Sequence, residues 1–180
     1  RNFGLDVIRA AAITLVVLSH CTYILPEFNW QLTNGIRLLG ATGVDIFFVL
    51  SGYLIGGILL RKLEAGQTSL SDLVHFWKRR WLRTIPNYFV VLILNILLIH
   101  FLGNILVDKV WLYIPFLQNF ITPHPNFFTE AWSLSIEEYA YLILPFLIYS
   151  SFLFFKNLRA SKVFLYTTIL VILILFIFKI

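Results

Sequence analysis

Long apolar runs, rather than short alternations, dominate the hydrophobic pattern of this chain. A helix needs about 20 mostly apolar residues to cross a hydrocarbon core of roughly 30 Å. Windows of that size pick out five stretches: 4–25, 43–60, 86–102, 132–155 and 163–180. Between the second and third lies 69–84, whose HFWKRRWLR run mixes Trp and Phe with five basic residues and reads as an interfacial amphipathic helix. The stretch 103–130 contains three Pro and reads as a loop with a short apolar, re-entrant dip. No internal repeat or low-complexity segment is present. The predicted fold is all-α: a polytopic transmembrane helix bundle with about five spans and one interfacial helix, forming a single domain over 1–180.

Composition agrees with that pattern. The chain is 59% hydrophobic and 13% charged, against roughly 45–50% and about 25% for soluble domains. This excludes an ordinary soluble domain and a disordered chain. With Cys21 the single cysteine, no intrachain disulfide can form. The sequence contains no Met, opens on Arg1 and is still apolar at Ile180, so a piece of a longer protein is expected.

Charge orients the bundle. Arg61, Lys62, Lys78, Arg79, Arg80 and Arg83 lie between the second and third stretches, and Lys156, Arg159 and Lys162 between the fourth and fifth. The alternate linkers hold Arg37 and Lys109. By the positive-inside rule the N-terminus and the basic linkers are cytoplasmic, with 26–42 and 103–130 outside. The net charge of +5 is thereby explained by membrane orientation, and no nucleic-acid partner is expected. The first stretch is too long for a signal peptide and is followed by further spans.

Ionisable groups within spans are costly and mark candidate sites. Arg9 and His20 are eleven residues apart, about 20° after whole turns, so they share one helix face roughly 16 Å apart. Asp6 stands three residues before Arg9, the spacing of a helix ion pair. The pair reads equally as a cap on the cytoplasmic end or as ligand contacts. This polar stripe is expected to face the bundle interior. In the second stretch Asp45, Gly52 and Gly56 share a face; tight packing at Gly52-xxx-Gly56 with Asp45 as a helix cap stands beside a binding role. The fourth stretch carries the adjacent carboxyls Glu137 and Glu138, which point about 100° apart. Glu137 lies roughly 9 Å below the outer end of its span and His20 roughly 8 Å below that of the first, so the two could meet at one level. A carboxylate beside an imidazole builds a general base; ion pairing for stability alone is the alternative. His75, His100 and His124 read as interfacial. No zinc-ligand spacing, Walker loop, dinucleotide fingerprint or GxSxG occurs, so no metal or bound cofactor is expected.

Taken in order, GLDVIRAAAITLVVLSH, GVDIFFVLSGYLIGGILL, FWKRRWLRTIPNY and AWSLSIEEYAYLILP closely resemble the membrane-bound acyltransferase-3 family, from Gly4 to about Pro145. The specific elements are a cation followed by His (Arg9 and His20), the WSLSxEE signature from Trp132 to Glu138, and the basic pair Arg80 and Arg83. The resemblance implies the N-terminal half of a bacterial inner-membrane enzyme. Such an enzyme moves an acyl group, expected to be acetyl, from cytoplasmic acyl-CoA to a hydroxyl of a cell-surface or exported carbohydrate or glycolipid. Acyl-CoA, expected to be acetyl-CoA, would be the co-substrate. The chain departs from the family where Tyr139 replaces a frequent Gln and Ala131 a frequent His, so no role carries over for either.

On that implication His20 is the general base on the acceptor hydroxyl, Glu137 orients it, and Arg9 holds part of the donor. Arg80 and Arg83 draw the CoA phosphates. Asp45, Glu138, Trp132 and Ser133 are further candidate substrate contacts. The rival class is a transporter or proton-coupled carrier using Arg9, His20 and Glu137 as a relay.

Overall fold

A computed structural model of the chain describes residues 3–24, 30–103, 109–121, 127–155 and 157–178. The described residues are helical, without strands, and five helices are long and apolar enough to cross a membrane. These are α1 (Phe3–Cys21), α2 (Trp30–Glu64), α3 (Leu70–Phe101), α5 (Ala131–Phe154) and α6 (Ala160–Phe178). A 3-10 turn (Val110–Tyr113) and the short α4 (Gln118–Ile121) interrupt the stretch expected to be a loop. His124 and Lys156 lie outside the described residues. Contacts divide the chain into two compact units, Arg1–Leu59 and Leu60–Ile180.

In the first unit α1 and α2 run antiparallel. A Cβ on Gly40 would stand 2.2 Å from Ser19 Cβ, and one on Gly43 would stand 2.9 Å from the Ala12 carbonyl oxygen. Hydrogen is all that fits at these two contacts, and the backbones approach through them. Beyond them Arg37 Nε donates to Thr22 Oγ1 at 3.2 Å, and its guanidinium lies 4.6 Å from the centroid of the Tyr23 ring. Small-residue packing was expected instead at Gly52-xxx-Gly56; a Cβ on Gly52 would meet nothing within 4 Å. The expected cap role of Asp45 is also corrected. α2 starts at Trp30, thirteen residues before the apolar window at Gly43, so Asp45 is an exposed mid-helix residue. Residues 30–42, which mix polar and apolar side chains, contain no proline, and the helix continues through them. Its 35 residues extend about 52 Å, well past the ~30 Å hydrocarbon core.

In the second unit Gly66, at φ +76°, ends α2, with Gln67 N donating to Lys62 O at 2.9 Å and Gly66 N to Leu63 O at 3.1 Å. Ser69 then caps α3 reciprocally with Asp72, the side chain of each accepting from the other's backbone N–H. The interfacial helix expected at 69–84 and the span expected at 86–102 are one helix, α3. The change from basic to apolar composition separates the two in the sequence reading, but Pro86 inside the helix removes one hydrogen bond without ending it. α5 packs against both α3 and α6. Tyr88 and Leu92 of α3 form a buried core with Tyr113, Phe116, Phe127 and Ala131, fixing the connecting segments to the helices.

Candidate active site

Polar side chains of α3 and α5 converge where the WSLSxEE signature faces the basic run. Arg80 Nη2 donates to Glu137 Oε1 at 3.2 Å, and its guanidinium sits 3.9 Å from the centroid of the Tyr141 ring. The Tyr141 hydroxyl donates to the same carboxylate oxygen. The Arg80 and Glu137 side chains are 20% and 24% exposed, so each charge depends on its neighbours for compensation. Glu138 points elsewhere, as its 100° offset requires. It is 6% exposed, and its Oε1 accepts from Thr84 Oγ1 at 2.9 Å. Glu138 Oε2 and Arg80 Nε are buried and lack a hydrogen-bond partner among the described residues.

The backbone supporting this cluster is satisfied by side chains. Pro145 has no N–H to give the Tyr141 carbonyl, its partner one turn earlier. Trp77 Nε1 of α3 donates to that carbonyl instead, at 3.0 Å. Backbone carbonyls in and beside the irregular segment between α3 and α5 are also satisfied by side chains. Tyr139 donates to Pro115 O at 2.9 Å, Tyr88 to Tyr113 O at 2.8 Å, and Tyr113 to Phe127 O. Burial pushes the Tyr113 phenol above its ordinary pKa and keeps it a proton donor. Buried Gln118 of α4 donates to Ser135 Oγ, and Ser135 Oγ to Ala131 O at 3.0 Å. Asn119 Nδ2 donates to Trp132 O at 2.8 Å. Ser135 and the Trp132 carbonyl of the signature therefore hold α4 against the first turns of α5. Ser133, expected to touch substrate, donates to Glu130 O at 3.4 Å.

The first unit holds the other candidates. Arg9 Nη1 donates to Asp6 Oδ1 at 3.2 Å, the pair expected from their spacing. His20 Nδ1 lies 2.8 Å from the Val16 carbonyl oxygen, which can only accept, so Nδ1 is the donor in this contact. Ala12 and Ser19 are the buried face of α1, while His20 is exposed; the polar stripe is not enclosed by the described residues. His20 and Glu137 belong to different units. Arg83 is exposed, unlike Arg80.

Sequence reasoning missed Thr84, Trp77, Tyr141, Gln118 and Asn119. Tyr141 follows Glu137 and Thr84 follows Arg80 by one helical turn, a spacing that could have drawn them in. Gln118 and Asn119 carry no such signal.

Residues 2–180 match the profile of a family described as an acyltransferase domain. A peptidoglycan O-acetyltransferase of Listeria monocytogenes is 35% identical over 159 residues, covering 79% of this chain and 23% of the relative. A putative peptidoglycan O-acetyltransferase of Bacillus subtilis is 33% identical over 178 residues, 89% of this chain and 26% of its own length. An O-acetyltransferase of Staphylococcus aureus is 33% identical over 160 residues, 81% and 24% respectively. The chain thus spans about a quarter of the length of these curated relatives. No solved structure matches it.

Proposed function

This chain belongs to the membrane-bound acyltransferase-3 family, and on that premise we propose that it is the membrane-embedded part of a bacterial O-acetyltransferase. The acceptor is a hydroxyl of peptidoglycan, the polymer named for its relatives. The donor is acetyl-CoA, reached from the cytoplasmic side of the inner membrane, with the N-terminus and the basic linkers on that side.

The observation that carries the reading is the hydrogen bond between His20 Nδ1 and the Val16 carbonyl oxygen. With Nδ1 donating to Val16 O, Nε2 is the basic nitrogen and takes the proton as the acceptor oxygen attacks the thioester carbonyl. The new C–O bond forms, the C–S bond breaks, and the proton passes from Nε2 to the departing thiolate. Val16 O supplies the orientation that a carboxylate would otherwise give. Glu137, tied to Arg80 and Tyr141, acts as a charge anchor for the α3–α5 cluster. Arg83, exposed beside Lys78 and Arg79, meets the donor's phosphates, where a guanidinium pairs well. Arg9, balanced by Asp6, lies on the donor side of the base.

Acetyl transfer from acetyl-CoA to peptidoglycan by the full-length protein in membranes tests this. His20→Ala should lower the rate at least a hundredfold, within the usual contribution of a general base. Near-normal turnover in that variant would remove His20 from the mechanism. A wild-type protein that never consumes acetyl-CoA would remove the enzymatic reading altogether.

A further inference from the structure

Near His20 the first unit carries a guanidinium that the reaction above does not use. Gly40 lets α2 approach α1 at Ser19, and Arg37, about one turn earlier on α2, is thereby brought to the residues that follow α1. A chain of hydrogen bonds holds it there. Arg37 Nε donates to Thr22 Oγ1 at 3.2 Å, and Thr22 Oγ1 donates its own hydrogen to Ser19 O at 2.7 Å. The Tyr23 ring, its centroid 4.6 Å from the guanidinium carbon, covers one face of the cation. These contacts fix the guanidinium plane and leave its fork, Nη1 and Nη2, without a partner among the described residues. Arg37 is half-buried, yet neither of those nitrogens is sealed from solvent. The same Tyr23 ring stands 6.3 Å from the His20 imidazole. Laid end to end, 4.6 and 6.3 Å leave no more than about 11 Å between guanidinium and imidazole, the reach of a disaccharide.

The fork selects among ligands. Two parallel N–H groups at the edge of a planar cation match the two oxygens of a carboxylate, whereas a lone hydroxyl or amide carbonyl leaves one donor idle. An arginine that only tied α2 to α1 would need Nε alone. Among the described residues no carboxylate reaches the fork. Asp6 is taken by Arg9, and Asp45 lies eight residues along α2, about 12 Å away. We propose that Arg37 is a specificity-determining residue that binds a carboxylate of the glycan acceptor and thereby presents a nearby hydroxyl to His20. That the carboxylate belongs to the acceptor rests on the peptidoglycan reading above, with 26–42 on the outer side. That the fork takes an oxyanion rests on its geometry.

The test uses the full-length protein in neutral detergent, with the rise in melting temperature as the readout of binding, so that no turnover is needed. The probes are peptidoglycan glycan strands stripped of peptide, whose lactyl carboxyls are free, and the same strands with each carboxyl converted to its methylamide. The free form should half-saturate the stabilisation at a concentration about tenfold lower, the contribution of one hydrogen bond between charged groups. Arg37→Gln should bring that ratio below about twofold. Arg37→Lys, which keeps the charge without the fork, should fall between, and it carries the test should the Gln variant fail to fold. A wild type stabilised by neither form, or by both alike, overturns the proposal. A ratio that survives in both Arg37 variants overturns it too, as does an equal loss of affinity for the two forms, which is the mark of a structural tie. Stabilisation by added phosphatidylglycerol alone, lost in Arg37→Gln, would give Arg37 to a lipid headgroup and overturn it as well. Carboxylate-selective binding with acetyl transfer retained in His20→Ala would sink the His20 mechanism alone. Transfer that requires His20, with binding blind to the carboxylate, would sink this proposal alone.

Discussion

One guanidinium faces two carboxyls in the α3–α5 cluster, and each group solves its desolvation differently. Arg80 and Glu137 share a charge-assisted hydrogen bond, while Glu138 relies on the Thr84 hydroxyl. Thr84→Val keeps the shape but removes the donor to a buried oxygen, which should cost about 1–3 kcal/mol. The check is the melting temperature in detergent, with Thr84→Ser expected to restore it. For the ion pair, Arg80→Met should destabilise more than Arg80→Met with Glu137→Leu, because the single change strands a partly buried carboxylate. A double variant that is worse than the single one by the full cost of Glu137→Leu would mean the two charges are uncoupled. Glu137, Glu138, Arg9 and His20 stand out in the sequence because each is an ionisable group within an apolar window, and Arg80 stands out through the basic pair that carries the resemblance. Thr84 and Tyr141 do not, because a hydroxyl and a phenol are common in helices and acquire meaning from what faces them.

At the scale of elements, the same property that made the spans visible hid how they join. Hydropathy located five membrane helices, yet it divided α3 where composition changes and began α2 late, because hydrogen bonding along a helix is indifferent to the polarity of its side chains. The contacts between helices were less visible still. Gly52-xxx-Gly56 carries the familiar spacing, but Gly40 and Gly43 face the neighbouring helix. Gly40→Val should therefore separate α1 from α2 and sharply lower folded yield in membranes, whereas Gly52→Ala should leave it unchanged. Equal losses in both would contradict the observed face. Pro145 and Trp77 form a second joint that no local pattern reveals, since they are 68 positions apart in sequence and meet through the Tyr141 carbonyl. Trp77→Phe should cost about 1 kcal/mol or more by orphaning that carbonyl. In a Pro145→Ala background, where residue 145 again supplies an N–H, the same change should cost measurably less. A coupling energy near zero in that cycle would show that the indole is packing rather than donating.

For the whole molecule, the unequal distribution of cations leads to a test of orientation independent of any activity. Lys156 and Arg159 lie between α5 and α6 in the sequence and Lys162 follows in the first turn of α6, and the connection between α2 and α3 is framed by Arg61, Lys62, Lys78, Arg79 and Arg83, whereas Lys109 is the sole Lys or Arg of the segment between α3 and α5. Moving such a cluster across a bilayer is opposed during insertion, so the basic side is expected to stay cytoplasmic. Ser161 and Thr129 are exposed residues on the two predicted sides. In a Cys21→Ser background of the full-length protein, with other cysteines replaced, Thr129→Cys should react with a membrane-impermeant thiol reagent in intact cells. Ser161→Cys should react only after the membrane is opened. The reverse pattern would put the basic run, Arg83 included, on the outer side, away from the cytoplasmic pool of acetyl-CoA. It would thereby remove the electrostatic case for donor capture, whatever the chemistry at His20.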